Sequence, residues 1–299
     1  MVAGQVDKLW RLIVARYGLS LPAMADYDCI GIIAGNGAYP RTFVEAARRA
    51  KVPRLVVSAF KNETEPALEA AVDSCAWLRV GQLGKLIKFF HKEGVKHAVM
   101  VGQIAPKNLF ELRPDIRIMT MLAKLKRKNA ETIFGAIADE LASEGIALLP
   151  ATTFLGDCMP PVGQVCGPTL TKEQLYDASY GFGIAKEVSR LDIGQTVVVK
   201  KGTVLAVEAF EGTNKAIARG GELGQGKALV AKVSKPKQDF RFDVPVVGPT
   251  TIEAAAEAGV SAIVIEADCT LLLERDVVEN LCATHKVSVF AMNEPEDMT

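Results

Sequence analysis

The sequence predicts an α/β protein: a parallel, helix-covered sheet in the N-terminal half, followed by a second α/β domain. Three observations lead there. Predicted strands and helices alternate on short connections, which builds right-handed βαβ units. The strands read as unbroken apolar runs rather than alternating ones, the pattern of strands buried on both faces. The chain is also rich in small residues, with 25 glycines among 299 residues, which suits close packing of helix on sheet. At about 150 residues per domain, that length gives two domains.

The first strand is predicted over 28–34, ending in Gly35-Asn36-Gly37, and a helix follows over 40–49. Pro40 suits the first helical turn, where its missing N–H costs nothing. A second strand covers 54–60, a helical stretch 65–72 and a third strand 76–80. The helix 82–93 closes at Gly94, and 97–101 is a fourth strand leading into Gly102-Gln103. Sheets of this kind bind ligands beyond the carboxyl ends of their strands, so these two glycine-bearing strand ends are candidate sites. A basic helical connector follows over 118–127, carrying Lys124, Lys126 and Arg127 and leading to Lys128. A helix over 130–144 and a short strand over 146–149 come next. The chain is accordingly divided into an N-terminal extension, 1–26, a parallel-sheet domain, 27–145, and a second α/β domain, 146–299.

The second half changes texture. Residues 156–168 carry three prolines and two cysteines and read as an irregular apolar loop, either lining a ligand site or packed as core. A helix covers 171–191. Two β-branched strands, 196–200 and 203–210, flank a Lys-Gly turn and form a hairpin. Further strands are predicted at 228–233, 262–266 and 287–291, with helices at 250–258 and 275–284.

Composition excludes several classes of function. Thirty-five basic and 35 acidic residues cancel, so the chain has no basic footprint for nucleic acid. Aromatic residues, at 6%, are too few for a base-stacking platform. The six scattered cysteines include no CxxC pair, and three histidines leave zinc chemistry without ligands; reduced, structural thiols are expected. No stretch reaches the 18 or so apolar residues of a membrane span. The first 26 residues, with Leu9, Leu12 and Ile13 at helical spacing, read as one amphipathic helix able to meet a partner or a lipid surface.

Three clusters can carry chemistry. Gly35-Asn36-Gly37 lies between a strand and a helix, where backbone N–H groups and the helix dipole attract a phosphate. The dinucleotide fingerprint is incomplete: Pro40 stands where the third glycine belongs, and the second strand ends Ser58-Ala-Phe60-Lys61 without a carboxylate for the ribose. This disfavours NAD and leaves open either a nucleotide diphosphate or a plain turn. In the second cluster, Glu208-Ala-Phe-Glu211-Gly-Thr213-Asn214 enters a helix with Thr213 as a natural N-cap. It fits a simple strand-to-helix turn equally with a phosphate-binding turn that places Glu211 on a metal.

The third cluster is the densest. From Lys232 to Asp243 the chain packs three lysines, one arginine and two aspartates into twelve residues. If that segment is extended, Asp239, Arg241 and Asp243 share one face, with Phe240 and Phe242 on the other. Carboxylates that hold Mg²⁺ or Mn²⁺ beside a guanidinium suit phosphoryl chemistry. The competing reading is a surface ion-pair ladder.

Six strings occur in an order that resembles the LpxI family, the UDP-2,3-diacylglucosamine pyrophosphatases of lipid A biosynthesis. They are Ile30-Gly-Ile-Ile-Ala-Gly-Asn-Gly37 with Pro40, Val101-Gly-Gln103, Leu149-Pro-Ala-Thr-Thr-Phe154, Asp192-Ile-Gly-Gln-Thr-Val-Val-Val-Lys200, Val204-Leu-Ala-Val-Glu-Ala-Phe-Glu-Gly-Thr213 and Gln238-Asp-Phe-Arg-Phe-Asp-Val-Pro245. The resemblance covers about 28–293 and leaves the N-terminal segment unexplained.

It implies a Rossmann-like N-terminal domain joined to a C-terminal α/β domain particular to the family. The implied reaction is hydrolysis of UDP-2,3-diacylglucosamine to UMP and 2,3-diacylglucosamine 1-phosphate (lipid X), water attacking the α-phosphorus with Mg²⁺ or Mn²⁺. A homodimer that is either cytoplasmic or peripheral on the inner membrane of a Gram-negative cell is also implied. By motif, Asp243 becomes the catalytic, metal-linked carboxylate, with Arg241 and Asp239 beside it and Glu211 as a second metal ligand. Gly35, Asn36, Gly37 and Gln103 would hold the nucleotide half, and Thr213, Asn214 and Lys232 the rest of the substrate. One departure concerns Asn214, where many members carry aspartate. The alternative from another class is a non-catalytic nucleotide-sugar or lipid-precursor sensor.

Overall fold

A computed structural model describes residues 27–104, 114–127 and 129–295. The expected N-terminal helix and Lys128 lie outside the described residues.

The first sheet is five-stranded and parallel, in the order β3-β2-β1-β4-β5. Its strands are β1 (Cys29–Ala34), β2 (Arg54–Phe60), β3 (Ser74–Leu78), β4 (His97–Val101) and β5 (Ala147–Leu148). The unalternating runs are buried as expected: five of the six residues of β1 lie in the interior. Helix α1 (Tyr39–Arg49) turns Phe43, Val44, Ala46 and Ala47 onto one face of the sheet. Helix α2 (Leu83–Lys92) turns Leu83, Leu86, Ile87 and Phe90 onto the other. The spacing of both sets is that of one helical stripe. Helix α3 (Ile116–Lys124) is capped by the Asp115 carboxylate, which accepts from the backbone N–H of Ile118, and α4 (Ala130–Ser143) is capped in the same way by Asn129 on Thr132.

The second sheet is six-stranded and mixed, in the order β6-β13-β11-β9-β7-β8. Strands β9 (Leu229–Lys232), β11 (Ala262–Glu266) and β13 (Ser288–Met292) are parallel; β6 (Gly163–Cys166) and β7 (Thr196–Lys200) flank them antiparallel, and β8 (Thr203–Val207) pairs with β7. Helix α5 (Lys172–Arg190) covers one face, starting in a capping box between Thr171 and Gln174. Helices α6 (Thr213–Gly224), α7 (Pro249–Glu257) and α8 (Arg275–His285) cover the other. A two-stranded parallel pair, β10 (Val246–Val247) with β12 (Leu271–Leu272), carries Val246 and Leu271 into the apolar core of the first domain.

Two expectations need correcting. The domain boundary lies later than residue 145: β5 pairs with β4, and Ala151, Leu155 and Met159 pack in the first domain's core. The segment 156–168 is not wholly irregular, since β6 adds to β13; Leu155, Met159 and Pro160 around it are core. The helical stretch expected near 65–72 is a 3-10 helix, Pro66–Ala71.

Candidate functional site at the domain seam

In the first sheet the chain runs outward in one direction through β1, β2 and β3 and in the other through β4 and β5. The order therefore reverses between β1 and β4, and such a switch point opens a crevice at the strand ends. Both predicted loops meet there. Asn36 and Gln103 exchange backbone hydrogen bonds at 2.7 and 3.3 Å, and the N–H of Gly35 donates to Val101 at 2.8 Å. Gly35 is required by this approach, because a Cβ would run into the Gln103 backbone. Gly37 has φ 84°, and no atom of the described residues lies within 4 Å of the place a Cβ would take there. The Asn36 amide donates to the Glu63 carboxylate at 2.7 Å. Sequence reasoning looked for a carboxylate at the end of β2 and missed this one, three residues beyond it.

The other half of the site lies where β8 and β9 of the second sheet end. Lys232, 6% exposed, donates from Nζ to Thr213 Oγ1 at 2.9 Å. Thr213 donates in turn to Glu208 Oε1 at 2.9 Å. Burial pulls the Lys232 ammonium below the usual lysine range, and the carboxylates of Glu208 and Asp243 oppose that fall. Thr213 is not the helix cap that its residue type predicted. Gly212, at φ 85°, takes that place, and the Thr213 hydroxyl is released toward Lys232. Glu208 was quoted in the motif but given no role; as the first residue past β8, its position carried the signal.

Asp243 stands between the domains. Lys235 Nζ lies 3.8 Å from its Oδ2 and 2.7 Å from Asp192 Oδ1. Burial raises the Asp243 carboxyl above the usual range, Glu131 and Asp192 push it further, and Lys235 and Lys232 hold it down. Burial alone would lower Lys235, but its hydrogen bond to Asp192 and the charges of Asp243, Asp192 and Glu131 outweigh that and raise it. Gln238 locks the segment: its amide donates to the Asp243 carbonyl at 2.6 Å, and its side-chain oxygen accepts from the Lys235 N–H at 2.6 Å.

The expected extended face of Asp239, Arg241 and Asp243 does not form. Residues 239–243 make a turn, with the Asp243 N–H donating to the Asp239 carbonyl at 2.9 Å. Asp239 accepts from the backbone and the guanidinium of Arg241, at 2.7 Å for the closest contact, so these two satisfy each other. Asp243 emerges on the Lys232 and Lys235 side, and Phe242 packs on Phe134 of α4 with ring centroids 5.7 Å apart. Glu211 is tied to Arg219 at 2.7 Å and to the Ala209 N–H, which hold its carboxyl below the usual range together with its own backbone hydrogen bond. Asn214 is exposed and lines a groove between α6 and α7 with Lys215, Ala218 and Glu253. Among the described residues no three of His, Cys, Asp and Glu are grouped to hold a metal ion. All six cysteines are free thiols, as expected. No helix of the described residues is long and apolar enough to cross a membrane.

A parallel sheet with a glycine-lined crevice at its switch point, facing a second domain that offers a buried ammonium and a carboxylate at the seam, defines a two-domain α/β protein. The descriptions of the LpxI N-terminal and C-terminal domains match residues 29–158 and 161–290. The chain is 32% identical over 277 residues to the UDP-2,3-diacylglucosamine pyrophosphatase LpxI of Caulobacter vibrioides, covering 88% of this chain and 96% of that protein. It belongs to the LpxI family.

Proposed function

We propose that this chain hydrolyses the pyrophosphate of UDP-2,3-diacylglucosamine to UMP and 2,3-diacylglucosamine 1-phosphate. The match to its Caulobacter relative over nearly the full length of both chains carries this reading. The substrate is a polyanion joined to a lipid, and the seam supplies what its cleavage needs. The UMP half lies along Gly35–Gly37 and Gln103, where the start of α1 meets its phosphate; the N–H groups of Gly35, Asn36 and Gln103 themselves are held by backbone carbonyls. The second phosphate reaches the start of α6, with Thr213, and the ammonium groups of Lys232 and Lys235. Water attacks the α-phosphorus, the bond from that phosphorus to the bridging oxygen breaks, and the lipid phosphate leaves with the bonding electrons. Lys232 and Lys235 balance the charge growing on that oxygen, most effectively because Lys232 is withdrawn from water.

Asp243, its side chain 39% exposed, is the carboxylate that would hold a hard divalent ion such as Mg²⁺ or Mn²⁺. Glu211 does not fit that role while Arg219 holds it. Bound there, the ion would polarise the phosphate and acidify water. Peripheral attachment to the inner membrane and pairing into a homodimer belong to the same reading.

Product analysis by mass spectrometry in water enriched in heavy oxygen tests the reaction. Label in UMP, released only with Mg²⁺ present, supports the whole reading. Label in the lipid phosphate moves the attack to the other phosphorus. Tight binding without turnover replaces the enzyme by a sensor.

A further inference from the structure

Two of the six thiols meet at the edge of the second sheet. Cys166 is the last residue of β6, paired with Val289 of β13, and Cys282 lies in the last turn of α8, which packs on β6. Both backbones are anchored to Val287, just before β13. The Val287 N–H donates to the Cys282 carbonyl at 3.2 Å, and Gly167 approaches the Val287 carbonyl so closely that a Cβ would clash. The Gln164 amide fixes the end of β6, donating to the carbonyls of Cys166 at 2.7 Å and Pro168 at 3.1 Å. From these anchors both side chains turn into the same apolar cluster, where the Cys282 thiol donates a hydrogen bond to the Cys166 sulfur. The Val289 N–H donates to that sulfur as well. Cys282 is wholly buried, whereas Cys166 keeps partial exposure.

We propose that Cys166 and Cys282 form a reversible oxidation site, closing to a disulfide when the protein meets a hydroperoxide. Cys166 is the attacking sulfur, because it reaches solvent and accepts two hydrogen bonds that favour its thiolate. Those bonds and the charge of Arg275 hold its thiol below the usual cysteine range, against burial and the charge of Glu279. The same bond to Cys166, with burial, holds Cys282 above that range. The Cys166 thiolate attacks a peroxide oxygen, the O–O bond breaks, and the other oxygen leaves with the bonding electrons and takes up a proton. Cys166 is then a sulfenic acid. The Cys282 sulfur attacks the Cys166 sulfur, the S–O bond breaks, and the hydroxide leaves as water with the Cys282 proton. In sum, the two thiols lose two electrons and two protons, and hydrogen peroxide is reduced to two waters. A solitary thiol can pass beyond the sulfenic acid to irreversible products; a thiol neighbour diverts it into a bond that reductants reopen. Burial raises the thiols of Cys29, Cys75 and Cys158 instead. The site does not depend on the hydrolytic reading above.

Peptide mapping by mass spectrometry tests this. The full chain is reduced, freed of reductant, exposed to a small excess of hydrogen peroxide under native conditions, alkylated and digested without reduction. The expected product is one peptide pair joined through Cys166 and Cys282, separated again by dithiothreitol, with the other four thiols alkylated. In Cys282→Ala, dimedone should label Cys166 as a sulfenic acid. In Cys166→Ala, Cys282 should stay unlabelled, because it is out of reach of the peroxide. Circular dichroism reports whether each variant is folded, and the mapping of the unaltered protein decides the proposal if one is not. Absence of the link, a link from either residue to a different cysteine, or a link that forms only in urea overturns the proposal. Dimedone labelling of Cys282 in place of Cys166 overturns the order of attack.

Discussion

The Nζ of Lys232 lies 2.9 Å from Oγ1 of Thr213, nineteen residues earlier, and both groups are withdrawn into the end of the second sheet. One contact joins the last residue of β9 to the first turn of α6. The chain thereby gathers a buried cation, a fixed hydroxyl and the N–H groups of a helix start at one point. Glu208 accepts the hydrogen bond of the Thr213 hydroxyl, whose oxygen in turn accepts from the ammonium.

The pH dependence of turnover follows from Lys232. Burial lowers its folded pKa, so the ammonium is lost below the usual lysine value of 10.5. Activity that needs the charge falls on the alkaline side before that pH, while stability changes in the opposite sense. The folded state binds the proton less tightly than the unfolded chain, so stability rises between the folded and unfolded pKa values. Lys232→Met should cost about 10²- to 10³-fold in kcat, as the loss of one group aimed at developing charge does. A pH–rate profile with a limb no lower than that of an exposed lysine would contradict this.

The buried pair of Lys186 and Glu266 is a stability element. Its charged atoms approach to 2.7 Å with both side chains about one-tenth exposed, and Glu266 also accepts from the N–H and hydroxyl of Ser234. Lys186→Met leaves a carboxylate without its cation and should cost about 3–5 kcal/mol in urea unfolding. Ser234 begins the segment that carries Lys235 and Asp243, so turnover should fall as well.

At the nucleotide end, Gly35→Ala should disrupt the bridge between Asn36 and Gln103, because the added methyl meets backbone rather than a movable side chain. Overpacking of this kind costs roughly 1–3 kcal/mol, and UMP binding should weaken with it. Thermal unfolding and UMP calorimetry on the variant check both. Unaltered binding would show that the loop is only a turn.

Much of this was legible in the residues. Long apolar runs such as Cys29–Ala34 and Ala262–Glu266 can satisfy their surroundings only as interior strands, and both domains follow from them. The two-residue strands β5, β10 and β12 carry no periodicity and exist through their partners, which is why the domain boundary was drawn too early. The face expected of Asp239, Arg241 and Asp243 assumed an extended chain. The Asp239 side chain accepts from the Arg241 N–H two residues on, and that local bond competes with strand geometry. Thr213 carried the signal of a helix cap, but Gly212 assumed the cap because only glycine adopts its φ readily. Glu63 and Glu208 reach the site through a turn and a strand end, which spacing alone does not reveal.

The most direct test of the account is Asp243→Asn, a change that keeps volume and removes one carboxylate from the seam. Rates of UMP release from UDP-2,3-diacylglucosamine and the affinity for UMP would be measured on both proteins at saturating Mg²⁺. Turnover lower by two orders of magnitude or more, with UMP affinity unchanged within a few fold, is the expected result. Turnover near that of the unaltered protein would remove Asp243 from the chemistry and with it the seam as the catalytic centre.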